Sequence, residues 1–113
     1  MSRDWLILVR DMKEFCEKIQ SYTSGVSREE FEQHGVIYDA TIRNVELLGE
    51  VARQLPDEVK SLRPDIDWAK IIAVRNLLIH VYFGIDDDIL WDIVQNKIEP
   101  LHHSLENLET ELT

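Results

Sequence analysis

The sequence predicts one all-α domain, an antiparallel bundle of four main helices over residues 1–113, and three observations carry that prediction. Apolar residues recur every three or four positions along four stretches, the spacing that lines one face of a helix. Start and stop signals separate those stretches. With 44% apolar residues and only four glycines and three prolines, the 113-residue chain can bury a single core and has no linker composition. There is no internal repeat or low-complexity tract to divide it.

The first helix is expected from about Asp4 to Ser21, with Trp5, Leu8, Met12, Phe15, Ile19 and Tyr22 on its inner face and Gly25 as its stop. Ser27 followed by Glu30 is a capping-box pattern, which predicts a second helix starting near Arg28. Its inner stripe is Phe31, Tyr38, Thr41, Val45, Leu48, Ala52 and Leu55, and Pro56 closes it. Pro64 and Asp65 to Asp67 announce a third helix, from about Trp68 to Tyr82, with Gly84 ending it. Between Ile71 and Val81 this helix is apolar almost all round, which predicts the centre of the molecule. The acids Asp86 to Asp88 suit the start of a fourth helix, Ile89 to about Glu111, that Pro100 should bend or break. Leu90, Ile93, Ile98, Leu101, Leu105, Leu108 and Leu112 form its inner face, and some apolar surface is left for a second subunit.

Cys16, the single cysteine, falls among Met12, Phe15 and Ile19 and reads as a small buried hydrophobe. No disulfide framework or cysteine zinc site is available. The apolar run Trp5 to Val9 is too short for a secretory or membrane segment, so a cytoplasmic location without membrane contact is the default. The formal charge of −10 argues against broad, nonspecific affinity for nucleic acid, which depends on Lys and Arg displacing counterions. Any nucleic-acid chemistry has to rest on a local site.

Three polar residues interrupt the apolar third helix, Arg75, Asn76 and His80, with Tyr82 just beyond. Buried without partners, each would cost about several kcal/mol. One explanation is structural. Asn76 and His80 are four residues apart and about 40° apart around a helix, so they can bond each other, while Arg75 can pair with Glu46 or Glu50. On residue type alone, satisfied polar groups in cores outnumber catalytic ones.

The segment Arg75-Asn76-Leu77-Leu78-Ile79-His80-Val81-Tyr82 has the form Arg-x-x-x-x-His-x-Tyr, with Asn directly after the Arg. It resembles the signature of HepT-like HEPN ribonucleases. Trp68 before it, Phe83-Gly84-Ile85-Asp86 and Leu90-Trp91 after it, and Leu48-Gly49-Glu50-Val51-Ala52 upstream are similar to that family's surroundings of the motif. Val81 stands where members often carry Gly. The resemblance spans nearly the whole chain. It implies a minimal HEPN domain that dimerises across the motif helices and cleaves RNA as the toxin partner of a minimal nucleotidyltransferase antitoxin. It also implies that Tyr82 accepts AMP from that partner, which would place bulk and negative charge in the substrate's way.

The chemistry suits the residues. RNA carries its own nucleophile, the 2′-OH, so cleavage calls for a base, an acid and positive charge on the phosphorane-like transition state, with no metal or other cofactor. Histidine titrates near neutrality and arginine grips phosphate oxygens with a planar fork. His80 is therefore assigned as general acid or base, Arg75 as the clamp and Asn76 as a supporting residue. On an ideal helix Arg75 and His80 diverge by about 140° and lie roughly 7.5 Å apart along the axis, so one copy makes a poor site unless the long Arg75 reaches round or the helix ends near His80; the resemblance implies that a two-fold partner completes it, bringing two Arg and two His to one phosphate. Tyr82 falls within about 20° of Arg75 on the same wheel; as a residue type it is more often a core aromatic at a helix end.

His102 and His103 point about 100° apart on a helix and cannot share a metal as an i, i+4 pair would, so surface positions are expected. His34 has no second ligand at metal spacing. The alternative to a ribonuclease is a noncatalytic helical module that docks and assists a nucleotidyltransferase, which the acidity would suit.

Overall fold

The computed structural model describes residues 3–80 and 84–113, excluding the side chains of residues 3, 75 and 77–80. Helix α1 spans Arg3–Thr23 and turns Val9, Met12, Cys16 and Ile19 fully inward. Trp5, Leu8, Phe15 and Tyr22 flank that line half-buried. Thr23 donates its hydroxyl to the Ile19 carbonyl at 2.8 Å, and Gly25, at φ 73°, takes the left-handed turn that lets the chain leave the helix. Cys16 is the buried hydrophobe expected, and burial, with Glu17 adding to it, pushes its thiol up to about 12.

The second helix is two helices. Ser27 caps α2, Arg28–Phe31, by accepting the Glu30 N–H at 3.1 Å, as its spacing predicts. The helix does not run on to Leu55, however. His34 adopts φ 58°, Gly35 is extended, and α3 starts afresh over Val36–Gln54. Gly35, which has no side chain and a high entropic cost in a helix, supplies the local weakness that the apolar pattern concealed. The inner stripe itself is borne out: Phe31, Tyr38, Thr41, Val45, Leu48, Ala52 and Leu55 are all buried. A short α4, Asp57–Lys60, follows Pro56.

The third predicted helix is shorter than expected. Helix α5 covers Trp68–Leu78, and the chain then passes into strand β1, Ile79–His80, which pairs antiparallel with β2, Gly84–Ile85. The helix thus stops four residues before Tyr82. Gly84, expected to end a helix, instead sits at φ 78° opposite His80. The expectation that this helix is the centre of the molecule falls in part on Leu77, Leu78 and Ile79, whose side chains lie outside the described residues, and on Val81, which lies outside them altogether. Val74 is buried, but Ile71, Ile72 and Ala73 are half-buried and Asn76 is exposed. Among the described residues α1 packs between α3 and the last helix, and α3 packs between α1 and α5. An apolar composition marks a helix for contact; which neighbours are near enough to supply it is a matter of topology.

Helix α6, Asp87–Asp92, continues through a π-helical turn, Ile93–Lys97, into α7, Ile98–Leu112. The wider turn immediately precedes Pro100, whose ring would press on the carbonyl four residues back, so the helix accommodates the proline rather than ending at it. Ile98, Leu105 and Leu108 are buried as predicted. Arg10 bonds Glu109 at 2.6 Å while Glu17 bonds His102 at 2.8 Å, so α1 and α7 run in opposite directions. The result is the all-α bundle that the sequence predicts, with one two-residue ladder at the end of α5.

Candidate active site

The approach of α5 to α3 is set by Gly49. A Cβ there would meet the Ile71 carbonyl oxygen at 2.9 Å and Val74 Cγ1 at 3.5 Å, so only a glycine lets the two helices lie this close. The start of α5 is tied down separately. Asp67 accepts the Lys70 N–H at 3.1 Å, and the Trp68 indole donates to the carbonyls of Lys60 and Arg63 at 3.0 and 3.2 Å. Beside α5 runs a groove of about 630 Å³, lined by Val45, Leu48, Ile71, Val74, Ile93 and Lys97 among others.

Arg75 and Asn76 lie in the last turn of α5, and Asn76 is exposed. His80 is two residues beyond the helix, paired across the ladder with Gly84. This removes the wheel on which the sequence reading placed them. The divergence of about 140° between Arg75 and His80 assumes unbroken helix, and so does the i, i+4 bond between Asn76 and His80. The Glu50 carboxylate, one of two suggested partners for Arg75, bonds Arg53 at 2.9 Å. The side chains of Arg75 and His80, and all of Tyr82, lie outside the described residues.

Immediately after the ladder the chain is fastened to α2 and α3. Asp86 caps α6 by accepting the N–H groups of Asp88 and Ile89 at 3.1 and 3.2 Å. Asp87 accepts the Tyr38 hydroxyl and bonds His34 Nε2 at 2.7 Å. The His34 and Tyr38 rings stack with centroids 4.0 Å apart and planes 15° from parallel. Arg28 bonds Asp88 and, at 2.7 Å, Glu32. Phe31 packs 5.3 Å from both Tyr38 and Trp91. Burial of Asp87 opposes its ionisation, yet the bonds from Tyr38 and His34 outweigh that and hold the carboxyl below its ordinary range. Burial and the same carboxylate push the Tyr38 phenol up.

Sequence reasoning set His34 aside and used Tyr38 only as a core residue. The signal available in the sequence is the pair His34 and Tyr38 on either side of Gly35, two rings with polar atoms beside a residue of low helix propensity. The surface expectation holds for His103, which is exposed, but His102 lies between Glu17 and Glu106 at 2.8 and 3.2 Å. Among the described residues no three metal-ligating side chains come together, and no helix is long and apolar enough to cross a membrane.

Comparison with known proteins gives one consistent answer. Residues 12–108 match the family model described as "Ribonuclease HepT-like". Over 108 residues the chain is 33% identical to "Probable ribonuclease HepT" of Thermococcus cleftensis, covering 96% of this chain and 98% of that one. It is 31% identical over 104 residues to "Putative RNase MJ1380" of Methanocaldococcus jannaschii, covering 92% and 95%. A relative from Caldanaerobacter subterraneus, "Putative RNase TTE0752", is 30% identical over 93 residues, covering 82% and 83%. No solved structure matches.

Proposed function

Because the chain belongs to the HepT-like ribonuclease family of the HEPN type, we propose that it is a metal-independent endoribonuclease whose working residues are Arg75 and His80. The observation that carries this reading is the family match over residues 12–108, a span that includes the Arg-x-x-x-x-His-x-Tyr segment, together with the similarity to relatives named as ribonucleases.

In the proposed reaction the 2′-oxygen attacks the adjacent phosphorus and loses its proton to a base, the bond from phosphorus to the 5′-oxygen breaks, and an acid protonates that leaving oxygen. The products are a 2′,3′-cyclic phosphate and a 5′-hydroxyl. His80 moves a proton in this sequence and Arg75 holds the non-bridging oxygens as their charge grows. Asn76, exposed beside Arg75, supports the phosphate by hydrogen bonding. Two copies meeting along the α5 side would bring two Arg75 and two His80 to one phosphodiester. The half-buried Ile71 and Ile72 and the groove beside them support that arrangement.

The chain is the toxin of a pair whose antitoxin is a minimal nucleotidyltransferase. Transfer of AMP from ATP to the Tyr82 oxygen, with release of pyrophosphate, adds negative charge where substrate phosphate must bind and so switches cleavage off. The test is incubation of RNA with the purified protein in excess chelator, wild type against Arg75→Ala and His80→Ala. Cleavage by the wild type alone is expected, and equal RNA loss in all three would end the enzyme reading.

The formal charge of −10 favours a second reading, a noncatalytic module that docks the nucleotidyltransferase. A protein that leaves RNA intact and still co-purifies stoichiometrically with that enzyme after His80→Ala would establish it.

A further inference from the structure

We propose that His34, Tyr38 and Asp87 form a clamp that positions His80, acting through the ladder between β1 and β2; the catalytic half of this statement rests on the ribonuclease reading above. The connection is short and entirely through described backbone. Asp87 opens α6 two residues after Ile85, the end of β2, and β2 holds His80 against Gly84 and Ile79 against Ile85. Anchoring Asp87 therefore anchors the strand that His80 is paired with.

Three features set this cluster apart from an ordinary helix contact. His34 is the one non-glycine residue with positive φ among the described residues, at 58°, so its ring is delivered to Asp87 by a backbone conformation that a glycine would adopt without strain. Its side chain is 52% exposed, so the bond at 2.7 Å is not explained as satisfaction of a buried group. Tyr38 sits at 4% exposure, with its ring stacked on His34 and its hydroxyl on the other oxygen of the same carboxylate. Both carboxylate oxygens are thus held, and the orientation of the first turn of α6 is defined from two sides. Arg28 on Asp88 adds a second tie from α2. The Tyr38 hydroxyl needs a partner once its ring is buried, but burial of Leu90 and Tyr38 calls for neither the His34 bond nor the Arg28 tie. A two-residue ladder does need them, because two paired residues have little stability of their own.

The strained residue supplies the discriminating experiment. His34→Gly removes the ring and relieves the backbone, so the melting temperature is expected to hold or rise while cleavage slows. Tyr38→Phe removes one bond and keeps the packing. Turnover of RNA by both variants is expected to fall roughly tenfold, with KM within about twofold of wild type, as a displaced proton-transfer group would give. Asp87→Ala should behave like them, and Asp87→Asn, which keeps an oxygen for Tyr38, should recover most of the loss. Amide hydrogen exchange across residues 79–85 should quicken in His34→Gly while α1 and α7 stay protected. Wild-type turnover in His34→Gly and Tyr38→Phe, or loss of turnover only in step with melting temperature, overturns the proposal. Should the wild type fail to cleave RNA, or His80→Ala cleave equally well, the ribonuclease reading fails by itself. Exchange at 79–85 still decides the clamp in that event, and unchanged protection there refutes it.

Discussion

Gly49 and Ile71 meet where α3 crosses the helix that carries Arg75: the glycine's missing side chain leaves the Ile71 carbonyl oxygen 2.9 Å from the place a Cβ would occupy. The atom in the way is main chain, so relief requires moving the helix rather than turning a rotamer. Gly49→Ala would gain up to about 1 kcal/mol of helix propensity, but overpacking of this kind costs about 1–3 kcal/mol. A net loss of stability is expected, larger for Gly49→Val, with the urea midpoint lowered at unchanged slope. An alanine variant more stable than wild type would show that α5 moves away freely.

The core of the bundle makes a plainer prediction. Leu105 of α7 is completely buried, together with Met12 and Ile19 of α1. Leu105→Ala leaves a cavity and should cost about 2–5 kcal/mol. Denaturant unfolding measures it, and a loss below 1 kcal/mol would mean that the site collapses.

Acid should weaken the fold through a few identified carboxylates. Glu109 is held below its ordinary range by bonds from Lys13 and Arg10, Asp65 by Ser104 and Arg63, and Asp87 as described above. Each has a lower pKa folded than unfolded, so the unfolded chain binds more protons through that interval. Their stabilisation is complete above the ordinary carboxylate range, near about pH 4, and is lost as pH falls through the lower folded values. Tyr38 acts on the alkaline side: its pKa is raised, so its contribution is complete below about pH 10 and lost as pH rises through the folded value. Unfolding midpoints from pH 7 down to 2.5 should therefore fall less steeply for Glu109→Gln than for wild type; identical slopes would remove Glu109 from the account.

At the motif, Arg75→Lys keeps the charge and loses the fork, so it should retain less than a tenth of the turnover while folding normally. His80→Ala should lose about 10²–10⁴-fold. Tyr82→Phe should cleave RNA like wild type and take up no AMP when the nucleotidyltransferase is present, as intact mass would report. Added AMP on the phenylalanine variant would move the acceptor elsewhere.

Much of the architecture was legible because burial and periodicity are local properties of the chain. Every residue of the predicted stripe from Phe31 to Leu55 is buried, and the Ser27 cap and the Gly25 turn follow from side chains within a few positions. The family of the chain was legible for the same reason, since its motif is contiguous.

What could not be read was wherever a local preference meets a distant neighbour. The apolar run continues past Leu78, yet α5 stops there and Ile79 and His80 pair with Ile85 and Gly84, a ladder followed closely by Asp87 and Asp88, which bond His34 and Arg28 far back in the chain. Nothing near His34 says that its ring will lie on Tyr38 and reach Asp87, 53 positions along the chain. Spacing along the chain dictates which face of a helix is apolar, but the direction in which a helix ends, and what its last residues are held against, depends on contacts that exist once the chain has closed on itself.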